Sequence, residues 1–156
     1  MNRPFNIQTI IMTRITFLLF ISTLFLAACS SRSNIYNTKD GAINGYDPVA
    51  YFTEGKPVKG NKEFVHSWNN AEWHFASKKN QEDFAQNPEK YAPQYGGYCA
   101  FGCSEGHKAP TDPDAWTIVD NKLYLNYDTS VKALWSKDIP GHIKKADSNW
   151  PRVSSE

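Results

Sequence analysis

Two thiols and an imidazole lie close together past the middle of this chain. The stretch Tyr95-Gly96-Gly97-Tyr98-Cys99-Ala100-Phe101-Gly102-Cys103-Ser104-Glu105-Gly106-His107 sets Cys99 and Cys103 four residues apart and His107 four residues further on. Side chains at i and i+4 share one face of a helical turn. Thiolates are soft ligands that suit Cu(I) or Zn²⁺. A closed zinc site takes four ligands, whereas Cu(I) needs only two or three. His107 is the natural third ligand, with His74 or His66 available from an upstream hairpin. On a continuous helix Cys99 and His107 would stand about 12 Å apart, at 1.5 Å per residue. One ion joins them only if Gly102 or Gly106 bends the chain. The same pair could instead close to a disulfide and act as a thiol-redox couple. It could also simply be packed, because free cysteine is among the most buried residue types. All three readings stand at this point.

The other polar candidates carry less. His66 falls on the apolar face of its hairpin, where core packing is the expectation. His74 falls on the polar face. His142 sits beside Pro140-Gly141, a helix end or surface position. Asp112 and Asp114 lie in a turn-forming loop. No nucleophile elbow, phosphate-binding loop or zinc-protease helix motif is present, so nothing points to a hydrolase. A non-enzymatic role is the expectation, unless the thiols do redox work.

The N-terminus reads as a targeting segment. Arg14 precedes the apolar run Ile15–Leu26, then Ala27-Ala28 and Cys29. The run is short for a membrane span and fits a secretory h-region. Leu26-Ala27-Ala28-Cys29 resembles the lipobox of bacterial lipoproteins, in which the cysteine is acylated and becomes the new N-terminus. Residues 1–28 are then a signal peptide, with Met12 as an alternative start, and Cys29 is the lipid anchor. Ser30 in place of Asp implies the outer membrane, with the domain facing the periplasm. Cys99 and Cys103 are left as a pair in an oxidising compartment. The chain carries 17 Lys+Arg against 16 Asp+Glu, and without the first 28 residues the balance is near −1. No basic excess remains to draw nucleic acid. The expected partners are the membrane, through the anchor, and a metal ion.

Positioning these groups falls to a small α+β domain, two β-hairpins with several short helices. Residues 29–44 are polar and read as the lipidated cysteine and a flexible tether, 45–151 as the domain, and 152–156 as a tail. Asp47-Pro48 starts a helical turn. Glu63–Trp68 and Ala71–Ala76 flank Asn69-Asn70, a two-residue hairpin turn. That register pairs Phe64 with Phe75 and His66 with Trp73, and puts Val65, Ser67, Glu72 and His74 on the wet face. Ser77 caps a helix through about Gln86 that buries Phe84, and Asn87-Pro88 starts another through Tyr91. Trp116–Val119 and Lys122–Tyr127 form a second hairpin about Asp120-Asn121. Asp128 caps a helix with Val131, Leu134 and Trp135 at helical spacing. Pro140-Gly141 interrupts the chain, Ile143–Asn149 is the last helix, and Trp150-Pro151 ends the domain.

From Tyr46 to Pro151 the chain resembles the YHS domain family in a longer, secreted form. The likeness is carried by Gly45-Tyr46-Asp47-Pro48-Val49-Ala50-Tyr51, Trp73-His74-Phe75-Ala76-Ser77, Phe84 with Asn87-Pro88 and Tyr91, Gly96-Gly97-Tyr98-Cys99-Ala100, and Lys122-Leu123-Tyr124-Leu125-Asn126. The resemblance implies a metal-binding module, with copper the metal usually associated with short members. Those members read Tyr-His-Phe-Cys-Ser-x-x-Cys where this chain has Trp73 to Asn80. His74 and Ser77 match, but Ala76 and Asn80 replace both thiols. The combined expectation is an envelope lipoprotein that binds Cu(I) through Cys99, Cys103, His107 and His74, with thiol redox at Cys99/Cys103 or a structural role as the alternatives.

Overall fold

A computed structural model describes residues 34–156. The segment read as a signal peptide, and Cys29, lie outside the described residues. The chain from 34 onward is α+β, with three two-stranded antiparallel sheets and short helices packed between them.

The first sheet pairs β1 (Asn37–Thr38) with β2 (Gly41–Ala42). It lies in the segment read as tether. Ile35 and Ala42 are buried in the core, and the Tyr36 N–H donates to Gly96 O at 2.8 Å. The segment therefore folds with the domain. Its polar composition hid three apolar anchors, Ile35, Ala42 and Ile43, spaced without a helix or strand period.

Asp47 starts the next turn as expected. Its Oδ1 accepts from the N–H groups of Val49 and Ala50, ahead of α1 (Ala50–Thr53). The long hairpin is β3 (Asn61–Trp68) with β4 (Ala71–Phe75), turned by Asn69 and Asn70 at φ 50° and 58°. Both turn residues are left-handed, as a type I′ turn requires. His66 opposes Trp73, but Phe75 opposes Asn61 rather than Phe64. Asn61 Oδ1 accepts from the Glu63 N–H, and the chain bows out between them. Such a bulge inserts residues on one strand without turning the hairpin's faces over. Phe64, Trp68, Trp73 and Phe75 still face one core.

Ser77 caps α2 (Lys78–Gln86), its hydroxyl accepting from Asn80 N. Phe84 of this helix is fully buried, with ring contacts to His66, Trp68, Trp73 and Phe75. Burying a Phe side chain contributes about 1.5–3 kcal/mol. His66 is thus a core neighbour. Then come α3 (Pro88–Tyr91) and α4 (Ala100–Ser104).

The second hairpin, β5 (Trp116–Val119) with β6 (Lys122–Leu125), has the expected register, Trp116 opposite Leu125 and Ile118 opposite Leu123. It is buried on both faces. Trp116, Ile118, Leu123 and Leu125 face the first core, while Val119 and Tyr124 face a second one. The strand alternation makes this hairpin the wall between the two.

Asp128 caps α5 (Thr129–Trp135). Trp135 is buried, but Leu134 is 45% exposed, so only part of the expected apolar stripe turns inward. The last helix, α6, runs Ile139–Val153. Pro140 falls in its first turn, where a missing N–H costs nothing, and Asp138 caps it through Gly141 N. Pro140-Gly141 therefore opens the helix. Pro151 does not close it: Val153 is fully buried and holds the last turn in place. Ile139, Ile143, Ala146, Trp150 and Val153 repeat at helical spacing, the first four against the second core. Among the described residues no helix is long and apolar enough to cross a membrane.

Candidate functional site

The approach to the cysteines is a left-handed turn. Tyr95, Gly96 and Gly97 have φ of 54°, 62° and 84°. A Cβ at Gly96 would stand 1.8 Å from Asn34 O, and one at Gly97 would stand 2.4 Å from Ile43 Cγ2. Only glycine fits at either position. The turn delivers Cys99 to the N-cap of α4, where its Sγ accepts from Gly102 N at 3.3 Å. The Cys99 S–H donates to Asn126 Oδ1 at 3.7 Å, and the same oxygen accepts from Phe101 N at 3.1 Å.

Cys103 sits one turn on. Both thiols are unbridged, 1% and 0% exposed. Burial raises the Cys99 thiol above its ordinary range, while N–H donors from Gly102, Tyr127 and Phe101 pull the other way. Burial, reinforced by the Cys99 charge, pushes Cys103 up to about 12, with Lys108 opposing. With no metal bound, a thiol so raised stays protonated at neutral pH.

The helix ends as the bend required. Gly106, at φ 88°, donates its N–H to Cys103 O at 3.1 Å, and His107 N donates to Gly102 O at 3.0 Å. These two bonds make a Schellman close. His107 folds back so that its Nε2 is 3.4 Å from where a Gly102 side chain would begin, but the residue is exposed. His74 belongs elsewhere. It is 4% exposed on β4, not on a wet face, with Nε2 2.7 Å from Glu72 Oε1. Gly41, Gly45 and Gly60 cover it, each within 3.4 Å of the ring or side chain once a Cβ is imagined on them. The polar-face expectation for His74 fails because β2 and the residues after it roof that face. Among the described residues no three His, Cys, Asp or Glu side chains are grouped to hold a metal ion. The structure brings Cys99 and Cys103 together and adds neither imidazole to them.

The slot that the resemblance associates with thiols is built differently. Asp47 is fully buried, and its Oδ2 accepts from Ala76 N at 2.8 Å and from Asn80 Nδ2 at 2.7 Å. The positions that replace the two thiols thus converge on one carboxylate oxygen. The slot offers a hard acceptor already met by N–H donors, and no soft ligand.

The family model described as YHS domain matches residues 49–95. The chain contains a YHS domain. The match takes in His74, Ala76 and Asn80 and stops four residues short of Cys99. No curated protein and no solved structure matches the chain. The YHS segment therefore supplies the first hairpin, α1 to α3 and the Asp47-bound slot, whereas the thiols lie beyond it on α4.

Two groups escaped the sequence reading. Asn126 is fully buried and joins β6 to the first turn of α4. Its signal was a lone amide directly after the apolar strand Leu123–Leu125. Ser104 is buried, donates to Phe101 O at 2.7 Å and lies 3.0 Å from His142 Nδ1. The contact ties α4 to α6, where His142 also packs on Phe101.

Proposed function

We propose that this chain is an envelope lipoprotein whose YHS-containing domain takes up a soft metal ion, Cu(I), through Cys99 and Cys103. The observation that carries the reading is the placement of the sulfurs: two soft donors on one helical turn, with backbone N–H groups already directed at Cys99 Sγ. Two thiolates meet the low coordination number of Cu(I) and fall short of a closed zinc site. The metal is cargo, and the donor chemistry fits it. Uptake displaces both thiol protons. The N–H donors and the nearby Lys108 offset the negative charge that results. Thiol redox stands second, because exchange needs an accessible thiolate and both sulfurs are buried. The lipobox-like Leu26–Cys29 supports the envelope location.

The test is a Cu(I) titration of reduced protein against a competing chelator. Wild type holds the ion, and the Cys99→Ser/Cys103→Ser double variant loses it. Equal affinity in the two proteins overturns the metal reading.

A further inference from the structure

The folding of residues 34–44 with the domain shortens its connection to Cys29. Five peptide steps join Cys29 to Asn34, and five residues span at most about 18 Å however they are arranged. A body of this length has a radius of gyration of about 14 Å. A domain on so short a leash keeps one particular side against whatever holds Cys29.

That side is identified by where the described chain starts. Asn34 O lies against Gly96, and Tyr36 is bonded to Gly96 O. Beside this point the Tyr36 and Tyr98 rings stand 5.5 Å apart, and Trp150 follows at 6.4 Å from Tyr98. The Lys108 ammonium sits over the Tyr98 ring, 5.3 Å from its centroid. All four residues are partly exposed. Tyr and Trp prefer the headgroup level of a bilayer, with an apolar body and a polar edge. Lysine places its stem along such a surface and its charge among phosphates.

We propose that the face made by Tyr36, Tyr98, Trp150 and Lys108 rests on the lipid headgroup layer. The proposal depends on acylation of Cys29, the envelope reading given above. It fixes the orientation of the domain and places the turn that carries Cys99 close to the membrane surface.

The test uses the full acylated chain in vesicles of phosphatidylethanolamine and phosphatidylglycerol, with brominated lipid as the quencher of tryptophan fluorescence. Mass spectrometry first establishes the lipid on Cys29. With acylation present, brominated lipid quenches wild type, Trp150→Phe loses most of that quenching, and Lys108→Glu reduces it. If the chain is acylated and Trp150→Phe is quenched as strongly as wild type, the face proposal is overturned and the anchor reading survives. If Cys29 carries no lipid, the anchor reading fails and the proposal falls with it.

Discussion

Asn80 donates its side-chain amide to Asp47 Oδ2 at 2.7 Å, across a separation of 33 residues. The bond ties the first turn of α2 to the residues that start α1. Asp47 also takes the N–H groups of Val49, Ala50 and Ala76. One buried carboxylate thus fixes the end of β4 and the starts of two helices. Asp47→Ala leaves several buried donors without an acceptor, each costing about 1–3 kcal/mol. It is expected to destabilise far more than Asn80→Ala, which removes one donor. Denaturant midpoints of the two variants check the order. Equal losses would show that the carboxylate is not the shared acceptor.

The first core should respond to truncation in proportion to burial. Phe75 is fully buried and touches Phe84. Phe75→Ala is expected to cost about 3–5 kcal/mol. Leu134→Ala should cost little, because Leu134 is 45% exposed despite its helical spacing with Trp135. Chemical denaturation of both variants tests this contrast, and a wild-type midpoint for Phe75→Ala would contradict the packing.

Those two residues also mark what could be read in advance. Phe75 faces the core because strand alternation fixes the face once the Asn69-Asn70 turn is recognised, and a bulge disturbs pairing without reversing faces. Its partner was misjudged because the strand bulges between Asn61 and Val65, where the Asn61 side chain takes the Glu63 N–H in a local turn that strand alternation does not reveal. Leu134 was placed inward because a helical period defines a stripe but not its width. The caps at Ser77 and Asp128 were legible, since a short polar side chain before a helix has a local job. The roof over His74 was not, because it comes from glycines far away in sequence. The thiol pair was legible as a pair. Its burial was not, because Asn126 and the glycine turn that enclose it carry no periodic signal.

Tyr51 gives a pH prediction. Its hydroxyl donates to Pro113 O at 3.1 Å, and burial raises it well above its ordinary value of 10.0. The unfolded chain releases this proton near pH 10 while the folded one keeps it. The folded state then binds more protons, so stability falls as pH rises past 10. Below pH 10 the contribution is fully present. Tyr51→Phe should flatten this alkaline decline, and parallel curves of thermal midpoint against pH for the two proteins would sink the assignment.

Anchoring is tested at the cysteine itself. Cys29→Ser should release the protein from membranes and stop acyl labelling, because it removes the thiol that the lipobox-like Leu26–Cys29 presents. Unchanged fractionation of Cys29→Ser would remove the lipoprotein reading.

Asn126 offers the sharpest test of how the thiols are held. Its Oδ1 accepts from Phe101 N and from the Cys99 thiol, at the first turn of α4. Asn149 acts at the other end, donating to Cys103 O at 3.1 Å and Ser104 O at 3.0 Å. A buried thiol reacts with a labelling reagent only when its surroundings open, so the labelling rate reports local stability. Asn126→Ala removes about 1–3 kcal/mol from the N-terminal turn. At tenfold per 1.4 kcal/mol, Cys99 labelling should rise by about one to two orders of magnitude. Asn149→Ala should instead release the C-terminal end and favour Cys103. Peptide mapping of the labelled cysteines separates the two effects. If both variants speed both cysteines equally, α4 opens as one unit and neither amide acts as a local restraint.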